Sequence, residues 1–227
     1  MKPELIVTSD GSHTLFVPEL NEHYHSTYGA IQESRHIFIE AGFKQIIDDQ
    51  PVLRILEVGF GTGLNAFLSI LEANKTEKTI HYTAIEPFPL EPAIVKLLNY
   101  PELLGNSSAS LFKMLHEVVW NREIQVTDHF VLYKVLNGLK NIDLKSNSYD
   151  LVYFDAFGPE VQPELWTEEI FRKIFLTLRE RGILVTYSAK GSIRRALKNS
   201  GFSVEKLPGP AGKREITRAI KNGDKPV

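Results

Sequence analysis

The sequence predicts an α/β fold: a doubly wound, mostly parallel sheet of seven strands, with an antiparallel C-terminal strand and a small N-terminal hairpin-plus-helix extension. From Val52 onward, short apolar runs of strand length alternate with segments of helical periodicity, which is typical of parallel sheets covered on both faces. The last two runs are joined by residues 208–212 (PGPAG), too few for a crossover helix, so these strands are expected to pair antiparallel.

The N-terminal extension is predicted from a turn signal and a helical pattern. Short apolar runs at 5–7 and 15–17 flank the turn-forming Asp10-Gly11-Ser12, which indicates a hairpin. After a polar and aromatic stretch, apolar residues at helical spacing predict a helix from about Ala30 to Ile47. We therefore assign residues 1–50 to the extension, 51–221 to the main domain and 222–227 to a frayed tail.

The strands of the main sheet are predicted from apolar runs bounded by turn residues or by helical periodicity. The helical pattern is clearest between residues 165 and 178. The predicted strands are Leu53–Glu57, Ile80–Ile85, Phe130–Val135, Leu151–Phe154, Ile183–Tyr187, Ser203–Leu207 and Glu215–Ile220.

Composition narrows the classes of function. A chain of 227 residues with 43% hydrophobic and 24% charged residues is typical of an ordinary globular protein. It has no cysteine, which excludes disulfides, thiolate catalysis and thiolate-ligated zinc. The histidines include His23 and His25, but no second pair completes a metal site, so no metal is expected.

Charge and hydropathy bear on partners and compartment. A net charge of −2 means that a nucleic acid would have to be met by a local basic patch. No apolar run approaches the roughly 20 residues that span a bilayer, and the N-terminus lacks a signal-peptide core, so no membrane partner and a cytoplasmic location are expected.

The loop after the first strand of the main domain predicts a nucleotide-like ligand. Residues 56–65 read LEVGFGTGLN, with the pattern E-x-G-x-G-x-G, and glycines allow positive φ and close approach of a ligand. Leu64 follows Gly63, so the spacing differs from the dinucleotide fingerprint, and the lysine of a phosphate loop is absent. The pattern resembles the first motif of class I S-adenosylmethionine (AdoMet) methyltransferases, which have a Rossmann-like fold.

Two acidic residues at predicted strand ends are expected to face the same ligand, because ligands of open α/β sheets bind at the carboxyl edge. Glu86 is expected to accept hydrogen bonds from ribose hydroxyls; the alternative is a solvent-facing acid before Pro87. Asp155, in LVYFDAFGP, is expected on a tight loop beside the ligand; the alternative is a helix N-cap or a turn aspartate.

Several further motifs carry a more specific resemblance. QESRHIF at 32–38, IEPFPL, YFDAFGPEVQPELW at 153–166 and GPAGKRE at 209–215 occur in order with the glycine loop. From about Ser9 to Arg218 the chain resembles the methyltransferase domain of the bifunctional tRNA 5-methylaminomethyl-2-thiouridine biosynthesis proteins and its stand-alone relatives. Family members typically carry D-G-F-A-P where this chain has DAFGP, an exchange of small residues that should not disturb the backbone path.

The resemblance implies an activity and its partners. The expected reaction is AdoMet-dependent N-methylation of the 5-aminomethyl group of uridine, or 2-thiouridine, at the wobble position of a tRNA anticodon stem-loop. Larger family members add a flavin-dependent oxidase domain, which does not fit in 227 residues. We therefore expect methyl transfer alone, with any oxidase on a separate partner chain; the oligomeric state is not predicted.

Asp155 is the expected catalytic residue, orienting the substrate amine and receiving or relaying its proton. An ordinary aspartate pKa near 4 makes it a weak base, so positioning is expected to be the larger part of its role. The expected cofactor contacts are Glu57, Gly59, Gly61, Thr62, Gly63, Asn65, Glu86, Pro87, Leu136, Asn137, Asp155, Ala156 and Phe157.

Residues outside the AdoMet motifs are candidates for substrate binding. Tyr24, Tyr28, Glu33 and Arg35 precede the glycine loop and could fold over the ligand as a lid, or form a surface cluster. Lys213 and Arg214 lie in a Gly/Pro loop and could face phosphates, or be solvated.

Two rival interpretations remain open from the sequence. One is a small-molecule methyltransferase or aminopropyltransferase of the same fold, for which the basic C-terminal loop has no obvious use. The other is a nucleotide-binding scaffold without turnover, against which the intact glycines, Glu86 and Asp155 argue.

Overall fold

Two β-sheets organise the protein, a small N-terminal sheet and a large sheet that carries the core. The computed structural model describes residues 3–46, 51–76, 78–105 and 108–223. The small sheet is antiparallel, in the order β1-β2-β3. Its strands are β1 (Glu4–Val7), β2 (His13–Val17) and β3 (Glu22–His23). The predicted hairpin is present, and β3 extends it.

The large sheet has the order β10-β11-β9-β8-β4-β5-β7-β6. Its strands are β4 (Val52–Val58), β5 (Thr79–Ile85), β6 (Glu123–Thr127), β7 (Phe130–Val135), β8 (Tyr149–Phe154), β9 (Leu178–Thr186), β10 (Ser203–Pro208) and β11 (Glu215–Ile220). The inner pairs from β9 to β7 are parallel, whereas β11 is antiparallel to both β9 and β10. The doubly wound class and the antiparallel C-terminal strand are confirmed.

In the part of the chain that the structure describes, the large sheet has eight strands rather than the predicted seven. The additional strand, β6, pairs antiparallel with β7 at the sheet edge. Its sequence, EIQVT, buries only Val126, so it carries little of the apolar signal that identifies an inner strand. Strand β9 also begins earlier than predicted, because it continues through a register shift beside Arg181, which has φ 65°.

Helices fill the connections between the strands. They are α1 (Ala30–Ser34), the π-helix Arg35–Phe43, α2 (Lys44–Ile46), α3 (Leu64–Ala73), α4 (Pro92–Val95), α5 (Tyr100–Leu104), α6 (Ala109–Glu117), α7 (Glu168–Thr177) and α8 (Gly191–Asn199). Short 3₁₀ helices lie at Leu139–Asn141 and Pro163–Leu165. The predicted helix end at Ile47 and residues 224–227 of the predicted tail lie outside the described residues.

The segment predicted as one regular helix contains nine residues of π-helix. Six of these nine are buried, more than the apolar stripe of an ordinary amphipathic α-helix. The segment packs directly on the sheet at Gly42, where a Cβ atom would lie 3.1 Å from Val185 Cγ2. The irregular helix therefore lets a nearly continuous apolar run contact the core.

The hydrophobic core lies on both faces of the large sheet, and alternation along β4 shows why. Leu53 and Ile55 join the cluster formed with the π-helix and α3. Leu56 and Val58 join the opposite cluster, formed with α7 and α8. Since side chains of a strand alternate between faces, this seven-residue strand supports both layers. Because β4, β5, β7 and β8 are parallel, their carboxyl ends meet at the same edge of the sheet.

Asp10, in the hairpin turn, caps the helix that follows twenty residues later in the chain. Its Oδ2 accepts a 2.9 Å hydrogen bond from the Gln32 N–H of α1, and its Oδ1 accepts bonds from Thr8 and Ser12. Burial raises the pKa of Asp10, but these hydrogen bonds outweigh it and hold the pKa below 3.8. The turn therefore ties the small sheet to α1.

We expect Asp10→Ala to lower the free energy of unfolding by about 0.5–2 kcal/mol, the usual cost of a lost cap. Because the folded-state pKa is depressed, the carboxylate contribution is present at neutral pH and disappears as the pH falls through that pKa. Urea unfolding at neutral pH measures the effect. The control is Asp143→Ala, an exposed aspartate, which should change stability by less than about 0.5 kcal/mol. Equal stability of both variants would contradict the capping role.

Candidate active site

The glycine loop leaves β4 and packs against the end of β8 with no space for a side chain. Gly59 has φ 94°, and a Cβ atom there would lie 2.6 Å from the main-chain oxygen of Asp155. The Gly59 N–H donates to Ile85 O and the Asp155 N–H donates to Val58 O, each at 3.0 Å. These bonds join the ends of β4, β5 and β8, so glycine is required at this position.

The next two glycines of the motif also have positive φ, 48° at Gly61 and 74° at Gly63. A Cβ atom on Gly61 would lie 3.0 Å from the Tyr24 ring, and one on Gly63 would lie 2.8 Å from His116 Nε2. Gly63 directly precedes α3. The loop is therefore packed from both sides, with Tyr24 of the N-terminal segment against one of its glycines.

A cavity of about 1130 Å³ opens above this loop. Its walls come from the N-terminal segment between residues 22 and 28, the glycine loop, the ends of β5, β7 and β8, and the loop after β10. Most of the residues expected to contact the cofactor line it: Gly59, Gly61, Thr62, Asn65, Glu86, Pro87, Leu136, Asn137, Asp155, Ala156 and Phe157.

Two of the expected cofactor contacts, Glu57 and Gly63, are not among the residues that line the cavity. Glu57 is fully buried, and neither carboxylate oxygen has a hydrogen-bond partner among the described residues. Burial, and then the neighbouring Asp155, raise the pKa of Glu57 well above its ordinary value, which favours the neutral acid. Since side chains of a strand alternate in direction, Glu57 lies on the same face of β4 as Ile55.

Glu86 faces the cavity with its carboxylate oriented by the main chain. Its Oε2 accepts a 3.0 Å hydrogen bond from the Gly61 N–H, and its Oε1 accepts a 2.8 Å bond from the Phe88 N–H. It is only 9% exposed, so the alternative of a solvent-facing acid is wrong. Burial raises the pKa of Glu86, although these main-chain bonds oppose the shift.

Asp155 lies at the end of β8, and its Oδ2 accepts a 2.8 Å hydrogen bond from Asn65 Nδ2. It caps no helix: the N-cap of α7 is Thr167, whose side chain accepts from the Ile170 N–H. Burial, helped by the charge of Glu33, raises the pKa of Asp155 to about 7, against the Asn65 bond and Lys213. This raised pKa differs from the ordinary value near 4 expected from the sequence, and it suits proton transfer near neutral pH.

The candidate substrate residues divide into two groups. Tyr24, Tyr28, Glu33 and Lys213 line the cavity, and Lys213 forms an ion pair with Glu33. Arg35 and Arg214 are exposed and lie outside the lining. Arg35 follows Glu33 by two positions on a helical segment, so the two side chains point in different directions.

Sequence reasoning missed two residues that order the Asp155 loop. Gln162 Oε1 accepts a 3.0 Å bond from the Phe157 N–H, and Tyr187 donates a 2.9 Å bond to Ala156 O. Trp166, of the quoted PELW motif, donates a 2.7 Å bond to Phe157 O. The position of Tyr187 could have indicated this role, because the residue directly follows β9 at the same sheet edge as the site.

Acidic side chains outnumber basic ones around the cavity. The acidic lining residues are Glu22, Glu33, Glu86, Asp155 and Glu164, and the lysines are Lys140 and Lys213. One of these lysines is paired with Glu33. Such a lining favours cationic ligands.

These features fit AdoMet. The molecule carries a cationic sulfonium and no phosphate, which suits a glycine loop without a lysine in an acidic cavity. Thr62 lines the cavity, and its Oγ1 is buried beside Tyr100. Within the described ranges, no group of three or more His, Asp or Glu side chains could hold a metal ion.

Comparison with known families agrees with this geometry. The model of a family described as S-adenosyl-L-methionine-dependent methyltransferase matches residues 106–222, just over half of the chain. The chain belongs to this family, and AdoMet is its cofactor. Among the described helices, none has the length and apolar character needed to cross a membrane.

Curated relatives that match the chain carry the name that the sequence motifs indicated. The chain is 29% identical over 231 residues to the tRNA 5-methylaminomethyl-2-thiouridine biosynthesis bifunctional protein MnmC of Burkholderia mallei, covering 93% of this chain and 34% of that protein. It is 30% identical over 218 residues to the protein of the same name from Campylobacter hominis, covering 92% and 32%. The chain thus spans about a third of the length of these relatives, and the predicted resemblance is confirmed.

Solved structures show the same fold. The crystal structure of MnmC2 from Aquifex aeolicus superposes with a TM-score of 0.81 and 28% identity, over 98% of this chain and 71% of that one. Spermidine synthase from Thermotoga maritima gives a TM-score of 0.54 at 13% identity, over 97% and 72%, which shows a shared fold alone.

Proposed function

We propose that the protein transfers a methyl group from AdoMet to the primary amine of 5-aminomethyluridine, with or without 2-thiolation, at the wobble position of a tRNA. The product is the 5-methylaminomethyl nucleoside. The observation that carries this proposal is Asp155, a base whose pKa is raised to about 7 at the wall of an acidic cavity. The names of the relatives support the choice of substrate.

The residues of the site account for the steps of the reaction. AdoMet supplies a methyl group already activated by its sulfonium. Gly59 and Gly61 let the ligand approach the main chain, and Glu86 offers its carboxylate to hydroxyl groups. Asp155 accepts a proton from the substrate ammonium, which frees the nitrogen lone pair. Bound AdoMet would supply its methyl group to that nitrogen, with the C–N bond forming as the C–S bond breaks and sulfur keeping the bonding electron pair.

The acidic lining supports an amine acceptor in preference to an anionic one. A primary amine arrives mostly as an ammonium near neutral pH, so it is attracted to the cavity before it is deprotonated. A phosphorylated or carboxylated small molecule would instead meet like charges. A tRNA substrate also implies a reaction in the cytoplasm.

The proposal is tested with AdoMet labelled in its methyl group. Acceptors of the labelled methyl group are bulk tRNA lacking the modification and ethylamine, and digested tRNA is analysed by nucleoside mass spectrometry. Aminopropyl transfer from decarboxylated AdoMet to putrescine is followed separately, by detection of spermidine. We expect label only in tRNA, as 5-methylaminomethyluridine or its 2-thio form. Transfer to the small amines without tRNA would favour a small-molecule enzyme. Binding of AdoMet without transfer to any acceptor would favour a scaffold.

A further inference from the structure

An ion pair lines the cavity wall near Asp155 and joins the two ends of the chain. Lys213 Nζ, from the loop between β10 and β11, lies 3.2 Å from Glu33 Oε1 on α1. Glu33 is 8% exposed, and its Oε2 accepts a 2.7 Å hydrogen bond from the Ser26 N–H. One oxygen of this carboxylate is therefore fixed by the main chain, while the other faces a cation.

An aromatic ring completes the surroundings of that cation. Lys213 Nζ lies 5.0 Å from the centre of the Tyr187 ring. The Tyr187 hydroxyl donates a hydrogen bond to the main-chain oxygen of Ala156, which follows Asp155. The ring is therefore held beside the Asp155 loop. A carboxylate oxygen and an aromatic face each attract an ammonium, the first by a charge-assisted hydrogen bond and the second by a cation–π interaction.

The side chain of Lys213, which occupies this site in the structure, carries the same kind of ammonium group as the proposed substrate. Lys213 ends in a primary alkylammonium, the same group that a 5-aminomethyl substituent presents. Its side chain is 29% exposed and belongs to a Gly/Pro loop, so it has a path to solvent. A lysine ammonium is strongly hydrated and carried on a flexible stem, which makes its release to water inexpensive.

We propose that Glu33 and Tyr187 form the receptor for the substrate ammonium, and that Lys213 occupies this receptor until the substrate displaces it. The identity of the amine rests on the proposed function. Because one ammonium replaces another, the charge beside Asp155 is conserved on binding. Glu33 then holds the nitrogen while Asp155 accepts its proton, so recognition and deprotonation fall to different carboxylates.

Two substitutions should act in opposite directions. We expect Glu33→Gln to raise KM for the tRNA amine about tenfold or more, as expected when one partner of a buried charge pair is removed. We expect Lys213→Met to lower KM, because the internal competitor is gone. Both are measured above the pKa of Asp155, with the Kd of AdoMet as a check that the cofactor site is intact. A raised KM in Lys213→Met would mean that Lys213 itself binds substrate, and would overturn the proposal.

A second measurement is independent of tRNA. Ethylammonium binding to the protein with S-adenosylhomocysteine is followed by ligand-observed NMR, and should weaken in Glu33→Gln and strengthen in Lys213→Met. Unchanged binding in both variants would reject the receptor. If the wild-type protein methylates no tRNA but shows this pattern, the proposed function fails and the receptor stands.

The protein offers a matched control pair on α6. Lys113 Nζ lies 3.5 Å from Glu117 Oε1, with side chains 70% and 63% exposed and away from the cavity. Lys113→Met and Glu117→Gln make the same chemical changes at a solvent-exposed ion pair. Neither control variant should alter KM or ethylammonium binding. If the control variants changed these quantities as much as Glu33→Gln and Lys213→Met do, the effects would come from the net charge of the protein and not from the receptor.

Discussion

Replacing Asp155 by asparagine is expected to lower kcat for methyl transfer by about 10²- to 10⁴-fold, the usual contribution of general acid–base catalysis. The change keeps the side-chain size and a carbonyl oxygen that can accept from Asn65, but it removes the group that takes the ammonium proton. The Kd of AdoMet should change only a few-fold. Single-turnover transfer and calorimetric titration with AdoMet measure the two quantities separately.

A near-native kcat in Asp155→Asn would remove Asp155 from the proton transfer. Loss of AdoMet binding together with activity would instead indicate that Asp155 acts mainly in the cofactor site. Thermal unfolding of the variant shows whether the fold is intact. Asp143→Asn provides the matched control, because this aspartate is exposed and lies outside the cavity.

The pH dependence of methyl transfer by the wild-type enzyme should report the protonation of the Asp155 carboxylate. The kcat/KM for AdoMet reports on the free enzyme, so we expect it to fall as the pH drops through about 7, where Asp155 becomes protonated and cannot act as a base. In the AdoMet complex the cationic sulfonium favours the carboxylate, so the acidic limb of kcat should lie at lower pH. An acidic limb that is unchanged in Asp155→Asn would assign it to another group.

Gly59→Ala is expected to lower kcat/KM about 10²-fold, because the main chain that carries Asp155 has to move, and misplacement of reacting groups by about 1 Å has effects of that size. The new Cβ would lie 2.6 Å from Asp155 O, and a backbone atom cannot turn away as a flexible side chain does. The φ of 94° adds strain of about 1–3 kcal/mol for a residue with a side chain. AdoMet binding should weaken as well, since the loop forms the cavity floor.

Gly11→Ala is the control that separates the effect of backbone strain from the effect of displacing the Asp155 main chain. Gly11 has a similar φ of 82°, but a Cβ atom there would have no neighbour within 4 Å. We expect this variant to lose stability of the same order, measured by urea unfolding, while keeping kcat/KM and the Kd of AdoMet. Full activity in Gly59→Ala would show that the glycine loop tolerates a side chain, contrary to the packing.

The sequence predicted those parts of the fold and site that depend on local pattern. Leu53 to Leu56 alternate between two cores, so an apolar run was enough to place β4, and the glycine spacing was enough to place the loop. Strand β6 escaped detection because its pairing, rather than its composition, makes it a strand.

Contacts distant in sequence could not be predicted in the same way. The pKa of Asp155 depends on burial by the whole loop cluster and on the charges of Glu33 and Lys213, which are 180 positions apart in the chain. The role of Asp10 likewise appears only when the hairpin is placed against α1. Tyr187 was identified as a strand end, but its hydrogen bond to Ala156 required the register of β8 and β9.

The position of β11 has a consequence for how the protein is made. This strand follows β10 in the chain, yet it lies between β9 and β10 in the sheet. During synthesis β10 therefore leaves the ribosome with no neighbour to pair with, and it can join the sheet only once β11 has emerged and inserted beside β9. The loop that carries Lys213 is ordered in the same event. A nascent chain can thus build the glycine loop before β11 has been synthesised, but it completes the amine side of the cavity only after β11 has emerged.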